Sequence, residues 1–441
     1  MTIQAILLAV LHIALLAWVR RRREFFHPAT LWLVVFSTTT TLYALNLLPY
    51  RAMLVESALI LCAGTLAFVG GAMLGDRLLA RRAPTPDNEG REAAEDAADH
   101  GRAASAAVVE RAATLGLVGL WAWTLLFIVQ VAAAFPLQEV FITSYEVRQA
   151  ISKQNLASIG VKYTYATLAA AALCAIALAG ATTPKARWIW TAGVFSTAVS
   201  AYLSTGRSNI ILPLLVAGVA YAVASGLQLT LKRQLTVAGV GAVIVLVVFT
   251  VGGSIIGKTF ENNGLSKVSS VLTDHTLLQP LALPYQYATG PIAAFDVQVR
   301  TLPVTPSTDG CATFAVICQV GSAAGFQMAA MPNIRPFTAP PMTWNTYTAM
   351  DRPLLDAGAA GVIGLLFLTG TTAGVLFGLA NRGGLFATAA YAIAASAVLY
   401  APVQNNFLAP HIVGGVLLSG LAIIVARFWP ERLVRLLPVP N

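Results

Sequence analysis

The residues able to act on a substrate are few and collect at the ends of apolar runs. Arg207 lies in Ser204-Thr205-Gly206-Arg207-Ser208-Asn209, between the apolar runs 188–203 and 210–224. Joined as one helix, those runs would far exceed a hydrocarbon core of roughly 30 Å, at about 1.5 Å per residue. The chain is therefore expected to reverse near Gly206, which puts a permanent cation at a membrane surface. A helix starting there presents unpaired N–H groups and a partial positive charge. Arg207 adds donors suited to bidentate phosphate binding. The other reading of the same residue is an arginine snorkelling to lipid headgroups.

A denser group follows at 345–361. Asn345-Thr346-Tyr347-Thr348 leads into Asp351-Arg352-Pro353, and Asp356-Ala357-Gly358 opens another apolar run. Pro353 suits a helix's first turn, and the two carboxylates suit its positive end. Capping accounts for one carboxylate but not for Arg352 and Asn345 beside it. Arg148 sits in the polar stretch after Tyr145 and reads as a solvated loop face or as a second anion contact. For acid–base work the candidates are His275, Asp296 and Asp356, with Asp274 and His411 in less telling contexts. No Ser-His-Asp order, HExxH helix, Walker loop or DxD pair ranks them, so neither a metal nor a cofactor is expected.

The elements that must position these groups are membrane helices. The 441-residue chain is 57% hydrophobic and 11% charged, where soluble domains carry about 25% charged residues. It reads as an all-α polytopic integral membrane protein, a single membrane domain over 1–441. Apolar windows of membrane length mark about eleven spans. They fall near 3–19, 29–48, 53–75, 113–134, 161–183, 188–205, 209–226, 235–256, 354–380, 384–401 and 410–427. The first run lacks a basic leader region and is followed by Arg20–Arg23, so it is expected to be retained rather than cleaved. Most of the 28 Lys and Arg then fall on one side of the membrane. That side is expected to be cytoplasmic, with the N-terminus outside and the C-terminus inside. Much of the net charge of +9 is thus topological. There is no nucleic-acid motif.

Three connections are longer than a turn requires. The 76–112 segment is a cytoplasmic linker, rich in Ala and acidic residues over 84–112. The 135–160 and 257–353 segments fall on the outer, periplasmic side, the second lying between the eighth and ninth spans. A loop that long is usually functional or disordered. This one carries Phe260, Tyr285, Tyr287, Phe295, Phe314, Trp344 and Tyr347, so it is expected to fold against the membrane domain. Cys311 and Cys318 also lie in it, where an oxidising compartment would allow a disulfide; a metal site is the weaker reading, because no His or further Cys lies at ligand spacing. Arginines suit a diphosphate and aromatics suit sugar faces. Together they fit chemistry on a lipid-diphosphate-linked glycan.

At this point the chain resembles the bacterial oligosaccharide repeat-unit polymerases, the Wzy type of O-antigen and capsule polymerase. Three patterns carry the resemblance: Ser204-Thr-Gly-Arg207-Ser; Tyr287-Ala-Thr-Gly290-Pro-Ile-Ala-Ala-Phe295-Asp296; and Asn345-Thr-Tyr347-Thr with Arg352-Pro and Asp356-Ala-Gly358-Ala-Ala-Gly361. The span number and the large outer loop fit as well. Ala357 departs from the pattern, since a bulky apolar residue is expected before the glycine. The spacings from Arg148 and Arg300 to a following glycine depart from it too. The resemblance implies a glycosyltransferase of the bacterial inner membrane acting at the periplasmic face. It implies undecaprenyl-diphosphate-linked oligosaccharide as substrate, with a flippase and a chain-length regulator as partners. Arg207 and Arg352 are then expected to act on the departing diphosphate, with Arg148, Asn345, Tyr347 and Tyr287 as further substrate-binding candidates. His275, Asp296 and Asp356 are left as alternatives for the base. An O-antigen ligase would share donor and topology, and a lipid-linked oligosaccharide flippase is the non-enzyme alternative. A flippase should carry charges in mid-span, where this chain has almost none.

Overall fold

A computed structural model describes residues 3–21, 24–80, 91–142, 147, 157–203, 207–227, 265–301, 310–326, 346–404 and 406–428, with positions 232, 233, 236 and 239. The described residues are helical and contain no strand. In chain order the helices are α1 (Ile3–Arg20), α2 (Pro28–Leu45), α3 (Val55–Ala80), α4 (Arg91–Ala132), α5 (Leu137–Ile142), α6 (Ala157–Gly180) and α7 (Pro184–Leu203). There follow α8 (Arg207–Ala224), α9 (Val271–Asp274), α10 (Gln279–Thr301), α11 (Ala315–Ala323), α12 (Asp351–Ala380), α13 (Leu385–Tyr400) and α14 (Pro410–Phe428). Six of them, α1, α2, α3, the Ala106–Ala132 part of α4, α12 and α14, are long and apolar enough to cross a membrane. Shorter apolar helices run over Tyr165–Gly180, Ile210–Ala224 and Leu385–Tyr400. The window 235–256 lies outside the described residues apart from two isolated positions.

The chain forms two compact units. Unit 1 comprises Met1–Gly75, Gln228–Gly374 and Ala397–Pro410. Unit 2 comprises Asp76–Leu227, Val375–Ser396 and His411–Asn441.

In unit 1 the apolar helices carry a buried polar thread. His12 Nε2 lies 2.9 Å from Thr65 Oγ1, and the Trp32 indole N–H donates to the same hydroxyl at 3.3 Å. Polar groups away from water need such partners, and pairing across α1, α2 and α3 fixes their rotation. Around this thread Trp32 stacks on Phe36 and Phe68, with ring centroids 4.5 and 4.2 Å apart. The threonines of α2 turn their hydroxyls back on their own helix: Thr38 donates to the Val34 carbonyl at 2.8 Å and Thr40 to the Phe36 carbonyl at 2.6 Å. Helix α2 starts with Pro28 after His27, whose Nδ1 accepts from the Ala29 amide. It stops at Asn46, which takes a left-handed conformation with φ 49°. Helices α3 and α12 meet backbone to backbone. A Cβ at Gly71 would lie 2.2 Å from the Phe367 carbonyl oxygen, and one at Gly370 would lie 2.3 Å from that of Phe68. Close approach through small residues is how membrane helices gain contact without a hydrophobic drive between them.

In unit 2 the central element is α6, buried on every side from Leu168 to Ala177. Its alanines let α4, α7 and α8 pack closely around it. Thr124 of α4 and Ser200 of α7 join hydroxyls at 3.0 Å.

Candidate functional site

The site is built on α10, which lies within the long segment expected to form an outer loop. Ser270 caps the short α9, its hydroxyl accepting from the Thr273 amide at 3.2 Å. The chain then enters α10, which contains Pro284 and Pro291 and buries residues from Ala282 to Gln298. That buried face docks on the end of α2 and the connection 46–54. The Tyr285 hydroxyl donates to the Leu42 carbonyl at 2.7 Å and accepts from the Leu47 amide at 2.9 Å. Tyr50 and Thr289 join hydroxyls at 2.7 Å, and Tyr50 stacks on Tyr43 with centroids 5.3 Å apart. Burial pushes both the Tyr50 and Tyr285 phenols above their ordinary range, against the opposing effects of Thr289 and the Leu47 amide. Both therefore stay protonated at neutral pH.

Asp296 closes the same contact. It is 2% exposed; one oxygen accepts from the Leu54 amide at 2.8 Å, and the other pairs with Arg300 at 2.9 Å. Arg300 also donates to the Ala52 carbonyl. The Asp296–Arg300 pair thus clamps α10 to the residues just before α3.

The third sequence pattern meets the second here. Tyr347 packs with Ala294, and Tyr287 covers them. The Ala349 amide donates to the Ala401 carbonyl at 2.7 Å, fixing the approach to α12. Asp351 is buried and Arg352 is half-buried at the start of that helix. Five residues on, α12 breaks: Ala357 (φ −144°, ψ 20°) and Gly358 (φ 62°, ψ −155°) are not helical. A positive φ is easy only for glycine. Asp356, beside the break, accepts from the Ala312 amide at 3.2 Å and the Thr313 amide at 2.6 Å. Those amides lie in a loop closed by a Cys311–Cys318 disulfide, with S–S 2.10 Å. The carboxylate therefore secures a covalently closed loop against α12.

Unit 1 therefore contains Tyr287, Asp296, Tyr347, Arg352 and Asp356, and within it Tyr287 and Tyr347 are packed together. His275 is exposed at the end of α9. The Ser269 hydroxyl, donating at 2.8 Å, lowers the pKa of neighbouring Asp274. Arg207 opens α8 in unit 2, and its side chain lies outside the described residues, as do Arg148 and Asn345. Sequence reasoning passed over Tyr50 and Thr289, and did not assign Arg300 a role. The four-residue spacing of Asp296 and Arg300 on a helix was the available signal for that pair. The tyrosine contacts had none, since Tyr285 meets main-chain groups and Tyr50 meets a hydroxyl, all between 238 and 243 positions away in the chain. Among the described residues there is no group of three or more His, Cys, Asp or Glu placed to hold a metal.

The fold and this site define an all-helical protein with membrane-spanning character, carrying a docked helix and a broken helix in one of its two units. No protein-family model matches the chain, and no curated protein or solved structure matches it at a significant level.

Proposed function

We propose that the protein is a membrane glycosyltransferase that joins undecaprenyl-diphosphate-linked oligosaccharide repeat units into O-antigen or capsular polysaccharide. On this reading about eleven helices cross a bacterial inner membrane. The N-terminus and the 257–353 segment are periplasmic, and the 76–112 linker and the C-terminus are cytoplasmic. The observation that carries the reading is the packing of Tyr287 against Ala294 and Tyr347. It joins two of the three sequence patterns that resemble repeat-unit polymerases.

An acceptor hydroxyl attacks the anomeric carbon of the donor glycan; the C–O bond to the lipid diphosphate breaks and the diphosphate departs. Arg352 stabilises the charge developing on it. Tyr287 offers a face to a sugar ring, backed by the buried Tyr347, with Asn345 as a hydrogen-bonding neighbour in the chain. Asp296 and Asp356 already hold main-chain amides, so they serve as positioning residues. His275 is then the base that takes the acceptor's proton.

The test is to incubate the purified protein with lipid-diphosphate repeat units and separate the products by size. A ladder of multiples is expected, with Arg352→Ala reducing its formation on the order of 100-fold. A single transfer to a lipid A–core acceptor without any ladder would indicate a ligase instead. If neither product forms while Arg352→Ala binds the lipid as well as the parent, the glycosyltransferase reading is wrong.

A further inference from the structure

Unit 2 carries a half-open cavity of about 590 Å³ that the glycan reading leaves unused. It lies among α4, α6 and α14, and its lining includes Leu115, Gly119, Trp123, Tyr165, Gly414 and Val425. The size falls in the roughly 300–1,000 Å³ range of small-ligand sites. Gly119 faces open space: a Cβ there would meet nothing within 4 Å. The lining is almost wholly apolar, so the occupant is a hydrocarbon.

The register of the helices shows which headgroup belongs at its mouth. A Cβ at Gly193 of α7 would meet Leu117 of α4 and Cys174 of α6, each at 3.2 Å. Further along, Thr124 of α4 bonds Ser200 of α7, so α4 and α7 run parallel. Helix α6, joined to α7 by a short turn, runs the other way. Near the start of α14, Gly414 lies against the Tyr165 ring and Gly415 against Leu168. The cavity continues along α14 to Val425 and along α4 from Trp123 back to Leu115. Val425 and Leu115 therefore lie at the same end. Arg111 stands one turn before Leu115, and Arg427 follows Val425 almost at once. Arg187 precedes Gly193 by the same number of residues as Arg111 precedes Leu117, and Lys185 is next to it. Glu110 is the acidic neighbour of Arg111. Trp188, 75% exposed, adds an interfacial aromatic at this level. By this register the apolar cavity runs towards the end of the bundle at which Arg111, Arg427, Arg187 and Lys185 lie.

We propose that this cavity holds an acyl chain of an anionic phospholipid from the surrounding bilayer, its phosphate set between Arg111 and Arg427. Long apolar chains and a negative headgroup match the two halves of the site, and each membrane-surface arginine favours such lipids. The site is independent of the glycan reading and stands whether or not the protein is a transferase.

Trp123 provides the readout. The full-length protein is placed in nanodiscs of phosphatidylcholine, and its fluorescence is quenched with lipid brominated on the acyl chain, as phosphatidylglycerol or as phosphatidylcholine. The component lost in Trp123→Phe reports the cavity. Brominated phosphatidylglycerol is expected to quench it at lower mole fraction, with the preference falling roughly fivefold for each of Arg111→Gln and Arg427→Gln. Gly119→Leu and, from the other wall, Ala422→Leu are expected to abolish that component while other tryptophans remain quenchable. Equal quenching by both lipids would overturn the proposal. So would retention of the preference in the double arginine variant, or displacement of phosphatidylglycerol by undecaprenyl phosphate at equimolar amounts.

Discussion

Asp296 is the residue whose role the structure defines most closely. It is nearly inaccessible and engages a main-chain amide of the α2–α3 connection together with the Arg300 guanidinium. Removing one member of a buried pair strands the other, whereas an isosteric change keeps most of the geometry. Arg300 is partly exposed, which limits the cost. Asp296→Ala is expected to lower stability by about 2 kcal/mol and Asp296→Asn by about 1 kcal/mol, read from thermal unfolding in detergent. In the polymerisation assay Asp296→Asn should keep most of its activity, because the residue positions α10. A loss beyond about 100-fold with an unchanged melting point would instead make it the base. Tyr285→Phe loses both the donated and the accepted bond to the end of α2. It is expected to cost about 1–2 kcal/mol and to speed hydrogen exchange at Leu47.

Helices α3 and α12 depend on what they lack. The opposed Gly71 and Gly370 let two backbones touch, so any side chain at either must push them apart. Gly370→Leu is expected to eliminate most folded protein on size-exclusion chromatography. Gly364→Leu on the same helix should be tolerated, because a Cβ there would meet nothing within 4 Å. Equal behaviour of the two would mean that the backbone contact does not hold the helices together. The break in α12 makes a different demand. Gly358 has φ 62°, so Gly358→Ala should cost about 1–2 kcal/mol through strain alone. Broken helices at membrane depth persist where protein or a water-lined cavity satisfies the freed backbone. Here the Asp356 carboxylate and its disulfide-closed loop stand beside the break.

At the level of the molecule, the proposal requires the 257–353 segment and the 76–112 linker to be on opposite sides of the membrane. With Cys62 and Cys174 replaced by serine, a cysteine at position 275 should react with an impermeant maleimide added from the periplasmic side. One at position 88 should react only after the membrane is opened. Labelling of both from one side would refute the topology and, with it, the periplasmic placement of the site. The positive rim of unit 2 belongs with position 88 on this scheme, where anionic lipid attracts basic residues.

Helix-forming apolar runs were legible in the sequence because membrane length and composition constrain a span strongly. So was the pairing of Cys311 with Cys318 as one of two readings. Other features were settled only by the fold. Tyr285 reaches Leu42 across 243 positions, and Asp296 reaches Leu54 across 242. Their partners are main-chain atoms, which every residue has, so no residue type marks them in advance. The break at Ala357–Gly358 was likewise hidden, since glycines are common within membrane helices and only the backbone angles distinguish a bend from a contact. The sequence determined that chemistry had to gather at the ends of apolar helices, because charges cannot cheaply lie within them. Only the tertiary structure decided that a helix from the long connection docks on α2, and which carboxylates are taken up in holding it there.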